Sequence, residues 1–254
     1  GDIIKGESGN DDLTGPAKTI TGGIGHDLLT LQIEGQTGEV DIDLGGTSAA
    51  GSERGDVLDL WGTAHDDVID IAPKSGKQLR ISIGSVNVDM DGVKTLNLYS
   101  AAGSDAVTLN NIGDPKLDQF TIDLGQIIEE EGTITETETI GEGKEAQTFT
   151  RTVPRLAFKP DGANDSIEFI GSDENDKFTL VSSRQISGGN YSAVEVQRFV
   201  GDSHNYSVTI TNSVRSGIEN DSVTVQSLGG DDHLDAGGLI KTDQIALILK
   251  AGEG

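Results

Sequence analysis

The chain of 254 residues carries 43 Asp and Glu against 18 Lys and Arg, a formal charge of −25. That balance excludes a simple nucleic-acid binder, argues against docking on anionic lipid and makes cations the natural partners. Glycine reaches 35 residues while aromatics are 4%, which favours stacked short strands joined by tight turns over a large aromatic core; no cysteine is present, so disulfide scaffolds and thiolate metal sites are excluded.

Membrane insertion is not expected, because no apolar run has the length of a span, and the first residues carry no leader pattern. At the start, Asp2 and Asp11 are nine residues apart, with Ile4 and Leu13 in the same phase. Gly6-Glu7-Ser8-Gly9-Asn10-Asp11-Asp12-Leu13-Thr14 fits the nonapeptide Gly-Gly-x-Gly-x-Asp-x-U-x, U being a large apolar residue, except at Glu7. Gly22-Gly23-Ile24-Gly25-His26-Asp27-Leu28-Leu29-Thr30 fits it at every position. Glycines at the first, second and fourth places permit positive φ, so a tight turn can face its carbonyl oxygens toward a cation. The aspartate adds a hard carboxylate oxygen, the ligand type calcium prefers. The apolar residue opens a short strand.

On these residues the chain resembles the RTX, or haemolysin-type calcium-binding, repeat family. The resemblance implies a parallel β-roll in a secreted or cell-surface bacterial protein, with Ca²⁺ shared between turns two repeats apart. It points first to the pair around Asp11 and Asp27, with Gly6, Gly9, Gly22 and Gly25 shaping the turns. Asp11 and Asp27 are sixteen residues apart, two fewer than two nonapeptides, the deficit falling at Gly15-Pro16-Ala17-Lys18. At the other end, Ala251-Gly252-Glu253-Gly254 looks like the opening of a further repeat, so the chain reads as a segment of a longer polypeptide.

Between the ends, x-Asp-x-U-x recurs without the glycines at Asp56, Asp67, Asp105, Asp165, Asp176, Asp221 and Asp232. Three pairs are eleven residues apart: Asp56 with Asp67, Asp165 with Asp176, and Asp221 with Asp232. A longer period is visible too. Val40–Gly45 precedes the first pair and Phe120–Gly125 the second, and the two pairs lie 109 residues apart. The sequence therefore divides into an RTX-like segment (1–31), a first strand unit (32–125), an acidic insertion (126–159) and a second unit (160–254). Thr133-Ile134-Thr135-Glu136-Thr137-Glu138-Thr139 alternates as a hairpin arm would, although the acidic density also suits a disordered loop. Leu79–Ile83, Val93–Leu98, Ser207–Ile210 and Ile245–Leu249 read as strands, and no segment has a helical period with caps. The expectation is an all-β fold, a parallel β-roll or β-helix-like solenoid of short stacked strands, with antiparallel β-sandwich domains as the alternative.

For the glycine-poor turns the simpler reading is an aspartate that caps its own turn through hydrogen bonds to the backbone. The doublets Asp66-Asp67 and Asp231-Asp232 are the better metal candidates among them, because adjacent carboxylates repel unless a cation lies between. The four histidines are scattered, which disfavours zinc, and His26 and His233 read as solvated. Trp61 reads as core or strand-edge packing. No nucleophile elbow or phosphate-binding loop is present. A calcium-stabilised structural segment, in an adhesive, matrix or surface-layer role, is the leading functional expectation. Further copies of the chain or cell-surface polysaccharide are its candidate partners. A β-helix polysaccharide lyase or epimerase, and a module presenting the acidic insertion to a partner, are the alternatives.

Overall fold

A computed structural model describes residues 2–45, 55–125, 127–140, 147–159, 161–183, 193–201, 203–211, 213, 215–216, 219–239 and 245–252. These residues form strands and turns with no helix. The chain alternates between two sheets, as follows from short apolar alternations separated by turn residues. β1 (Ile3–Ser8), β3 (Thr19–Ile24) and β5 (Gly38–Asp43) belong to the first sheet, and β2 (Asp12–Thr14), β4 (Leu28–Gln32) and β6 (Val57–Trp61) to the second. Three strands in succession, β7 (Val68–Ala72), β8 (Leu79–Ile83) and β9 (Val86–Asp91), then return to the first sheet. Alternation resumes with β10 (Thr95–Tyr99) in the second sheet, β11 (Ala106–Asn110) in the first and β12 (Gln119–Asp123) in the second.

Next come β13 (Ile127–Ile140) and β14 (Gln147–Lys159), an antiparallel pair that joins neither large sheet, with a register shift between Glu130 and Thr133. The acidic insertion thus takes the hairpin form, residues 141–146 lying outside those described. β15 (Ser166–Ile170) is in the first sheet, and β16 (Asp176–Ser183), β17 (Ala193–Val200) and β18 (Ser203–Thr211) are in the second. After the two-residue strands β19 (Arg215–Ser216) and β20 (Glu219–Asn220), β21 (Ser222–Gln226) and β23 (Ala246–Lys250) complete the first sheet and β22 (His233–Gly238) the second.

The spatial order is β1-β3-β5-β9-β8-β7-β11-β15-β21-β23 in the first sheet and β2-β4-β6-β10-β12-β18-β17-β16-β22 in the second. Both sheets are mainly parallel. Antiparallel pairing within them is confined to β7-β8-β9 and β16-β17-β18, each a meander set among parallel neighbours. Both sheets also run without a break across residues 31 and 125, since β4 pairs with β6, and β11 with β15. The stretches related by 109 residues fall on opposite sheets: β6 lies in the second sheet and β15 in the first, while β7 lies in the first and β16 in the second.

Alternate side chains of the strands in the two large sheets enter one apolar cluster. Ile20, Leu29, Leu58, Leu60, Ile69, Leu96, Leu98, Phe169, Phe178 and Val223 are among its fully buried members. Each buried aliphatic side chain of this size contributes roughly 1.5–3 kcal/mol. Parallel sheets leave their turns at the two margins of this core, and the turns carry the aspartates.

Candidate metal centre in the stacked aspartate turns

Six-residue turns ending in aspartate precede many of the strands. Gly6–Asp11 and Gly22–Asp27 lead into β2 and β4, Gly62–Asp67 and Ser100–Asp105 into β7 and β11, and Gly171–Asp176 and Ser227–Asp232 into β16 and β22. The members of each pair clasp one another through two hydrogen bonds of opposite sense. The sixth-residue N–H of the earlier turn donates to the aspartate Oδ1 of the later one: Asp11 to Asp27 at 3.0 Å, Asp67 to Asp105 at 2.8 Å, Asp176 to Asp232 at 2.9 Å. In return, the fifth-residue N–H of the later turn donates to the fifth side chain of the earlier one: His26 to Asn10 at 3.1 Å, Ser104 to Asp66 at 2.9 Å, Asp231 to Asn175 at 2.9 Å. Asp165 and Asp221 repeat the arrangement at 3.0 Å, with Asn220 N–H donating to Asn164 at 2.6 Å.

These clasps link into ladders. Asp27 N–H donates to Asp56 Oδ1 at 2.9 Å, and Asp105 N–H to Asp165 Oδ1 at 2.7 Å. One margin therefore carries Asp11, Asp27 and Asp56, and another Asp67, Asp105, Asp165 and Asp221. Each aspartate carbonyl in turn accepts the N–H that opens the neighbouring strand, as Asp105 does from Ser166 at 2.8 Å and Asp165 from Ser222 at 2.9 Å. Stacked aspartates thus take the place of strand residues where the parallel ladder would otherwise lose its register.

The second residue of the turn decides what the other carboxylate oxygen meets. At Gly171–Asp176 the second residue, Ser172, gives Asp176 Oδ2 its N–H at 2.6 Å and its hydroxyl at 3.0 Å. At Gly62–Asp67, Thr63 gives Asp67 its N–H at 2.6 Å and its hydroxyl at 3.1 Å. In the other class, the second residue has left-handed backbone: Glu7 at φ 79°, Gly23 at 107° and Ala101 at 77°. That residue then donates nothing to the aspartate, and Oδ2 of Asp11, Asp27 and Asp105 is buried without a hydrogen-bond partner. The Ser100 hydroxyl, which lies beside Asp105, donates instead to the Asp123 carbonyl at 3.2 Å. Asp165 Oδ2 is orphaned in the same way. Close packing explains the fourth-place glycines: a Cβ on Gly25 would sit on the Gly9 carbonyl oxygen, and one on Gly103 would meet the His65 carbonyl.

Burial shifts these carboxyls upward, against the backbone N–H that each accepts. Asp56 is raised chiefly by burial, partly offset by the Asp27 N–H. Asp105 is pushed up to about 6 by burial, and Asp165 up to about 8 by burial together with the charges of Asp221, Asp105 and Asp161. Asp176 differs in kind. Arg198, 1% exposed, donates from Nε to Asp176 Oδ1 at 2.9 Å and from NH1 to Asn111 Oδ1 at 3.0 Å, and lies 5.8 Å from the Phe178 ring centre.

The expected metal residues are therefore distributed as follows. Gly6, Gly9, Asp11, Gly22, Gly25 and Asp27 come together in one pair of stacked turns. Asp66 and Asp67 do not converge on one point: Asp66 bonds the Ser104 N–H and Asp67 the Thr63 donors. Asp231 is exposed, while Asp232 is half-buried and bonds the Asp176 N–H. His233 is exposed, but His26 is half-buried, with Nδ1 buried and unpartnered. Trp61 is half-buried and stacks on Tyr99 with ring centres 4.1 Å apart. Sequence reasoning missed the likeness of Ser100–Asp105 to the glycine turns, whose signal is Gly103 at the fourth place, and it missed Arg198, for which the sequence holds no signal. Among the described residues no three His, Asp or Glu side chains converge as a ready-made metal site, so an ion at these turns would take most of its oxygens from the backbone, as calcium sites do. Comparison with protein-family profiles, curated proteins and solved structures gave no match.

Proposed function

We propose that this chain is a calcium-stabilised β-solenoid segment, of the β-roll kind, in a secreted or cell-surface bacterial protein, where it acts as scaffold or spacer. The two mainly parallel sheets, between which the chain passes strand by strand, support the solenoid reading. The observation that carries the calcium reading is the pair of buried, donor-free oxygens, Asp11 Oδ2 and Asp27 Oδ2, in turns whose second residues are left-handed. A carboxylate withdrawn from water without a donor costs several kcal/mol, and a cation supplies what the backbone does not. The Gly22 carbonyl oxygen and Asp11 Oδ2 both crowd the space beside the Gly6 α-carbon, so carboxylate and carbonyl oxygens are gathered at one point. These are hard oxygen donors suited to calcium.

Ion binding would then contribute to folding, since the gathered carboxylates repel one another in the ion-free chain. Thermal unfolding followed by circular dichroism, with millimolar calcium and with chelator, tests this. Calcium is expected to raise the midpoint by on the order of 10 °C, equivalent to about 2.5–5 kcal/mol for a chain of this size. An unchanged midpoint removes calcium from the folding mechanism.

A further inference from the structure

Buried aspartates need a counter-charge, and the molecule meets that need unevenly. Asp176 has its own cation, the buried guanidinium of Arg198 at 2.9 Å, together with Ser172. Asp105 and Asp165 have neither. Both are 1% exposed, both spend Oδ1 on a backbone N–H, and both keep Oδ2 buried and unpartnered. The charges that weigh most on them are acidic: Asp67 and Asp161 on Asp105, and Asp221, Asp105 and Asp161 on Asp165. Asp161 ties the two turns together, accepting the Gly103 N–H at 2.9 Å and the Ala163 N–H at 2.8 Å. No Lys, Arg or His side chain among those described pairs with any of the three.

The backbone of Ser100–Asp105 also repeats that of the glycine turns. Ala101 takes the left-handed place of Gly23, and Gly103, at φ 126°, matches Gly9 at 119°. The Ala101 carbonyl oxygen and Asp161 Oδ2 both border the space beside the Gly125 α-carbon, so a carbonyl of the turn lies on the side where Asp161 stands.

We propose that the Ser100–Asp105 turn and Asp165 form a second site for a hard divalent cation, held by Asp105 Oδ2, Asp165 Oδ2 and backbone carbonyl oxygens, with Asp161 at its margin. This site rests on the cation reading of the glycine turns but is separate from them, on the ladder that leads into the first sheet. One divalent ion would satisfy two orphaned oxygens and offset most of the charge of three carboxylates, the task that Arg198 and Ser172 share at Asp176.

Calcium binding to the full chain is measured by titration calorimetry, on the wild type, on the D11N/D27N variant and on that variant with Asp165→Asn added. Asparagine keeps the Oδ1 acceptor for the Asp105 N–H and removes only the second anionic oxygen. The D11N/D27N variant is expected to retain about one calcium equivalent, and the added Asp165→Asn to abolish it. Loss of all calcium already in D11N/D27N overturns the second site, as does calcium that persists after Asp165→Asn. A chain bound by a proton instead would show Asp165→Asn raising the midpoint in chelator with no change in calcium stoichiometry, and this also overturns the proposal. If Asp165→Asn prevents folding, Asp105→Asn, which preserves the Asp67 hydrogen bond, replaces it with the same criteria. Unchanged stoichiometry between the wild type and D11N/D27N would instead count against the glycine-turn site alone.

Discussion

Glu7 holds a left-handed backbone, φ 79°, at the place where Gly23 stands in the next turn. An L-residue pays roughly 1–2 kcal/mol there, whereas glycine pays about 0.5–1 kcal/mol of extra chain entropy in the unfolded state. The Glu7 side chain is exposed, so Glu7→Gly is expected to stabilise the protein by up to about 1 kcal/mol, read as a higher urea midpoint at unchanged slope. Arg198 lies at the opposite extreme. Arg198→Met would leave Asp176 buried without its cation and cost about 3–5 kcal/mol, while the paired change with Asp176→Asn should recover much of that loss, because the stranded charge goes too. A double-mutant cycle in urea measures the coupling, and a loss below about 1 kcal/mol for Arg198→Met would show that the pair is solvated.

Among elements, the hairpin of β13 and β14 is separable. Its strands pair only with each other, and the residues that flank it are neighbours, since the Gly125 α-carbon packs beside the Asp161 carboxylate. Replacing residues 127–159 by a short glycine-serine linker is therefore expected to leave the β signature in circular dichroism and the midpoint within a few degrees. A collapse of the midpoint would mean that the hairpin covers one of the sheets. The two meanders are different, because β8 and β17 each stand between partners inside a sheet. Removing one would interrupt the sheet at its middle and expose core residues such as Ile81 or Val196.

At the scale of the whole molecule, the aspartate ladders couple stability to pH. In chelator, Asp105 and Asp165 bind protons more tightly folded than unfolded, their carboxyls being raised to about 6 and about 8. Their stabilising contribution is complete below the ordinary carboxylate value near 4 and is lost as pH rises, through about 6 for Asp105 and about 8 for Asp165. Asp89 acts in the other direction. Arg80, bonded to it at 2.5 Å, holds its carboxyl below the usual value, so that contribution is present at neutral pH and lost on acidification. The net charge of −25 adds repulsion as carboxyls ionise. The midpoint in chelator is thus expected to fall between pH 5 and pH 8, and a rise over that range would contradict the burial of these two aspartates with one oxygen unpartnered.

The residue alternation by itself determined that the chain is all β, because a period of two over five-residue runs allows nothing else. The glycine and aspartate spacing also located the Asp11 and Asp27 turns, since glycine takes such a bend at the least steric cost. For the acidic insertion the alternation left a hairpin arm and a disordered loop both open, and the pairing of β13 with β14 came from the structure. Only the tertiary structure decided which turns stack. The 109-residue relation could not reveal that β7 and β16 lie on opposite sheets, because a sequence period carries no record of which sheet a strand joins. Nor could local sequence separate Asp67 and Asp176, satisfied by Thr63 and Ser172, from Asp105, left bare by the left-handed Ala101. That difference depends on backbone dihedral angles, and Arg198 reaches Asp176 from 22 residues away through the pairing of β16 with β17.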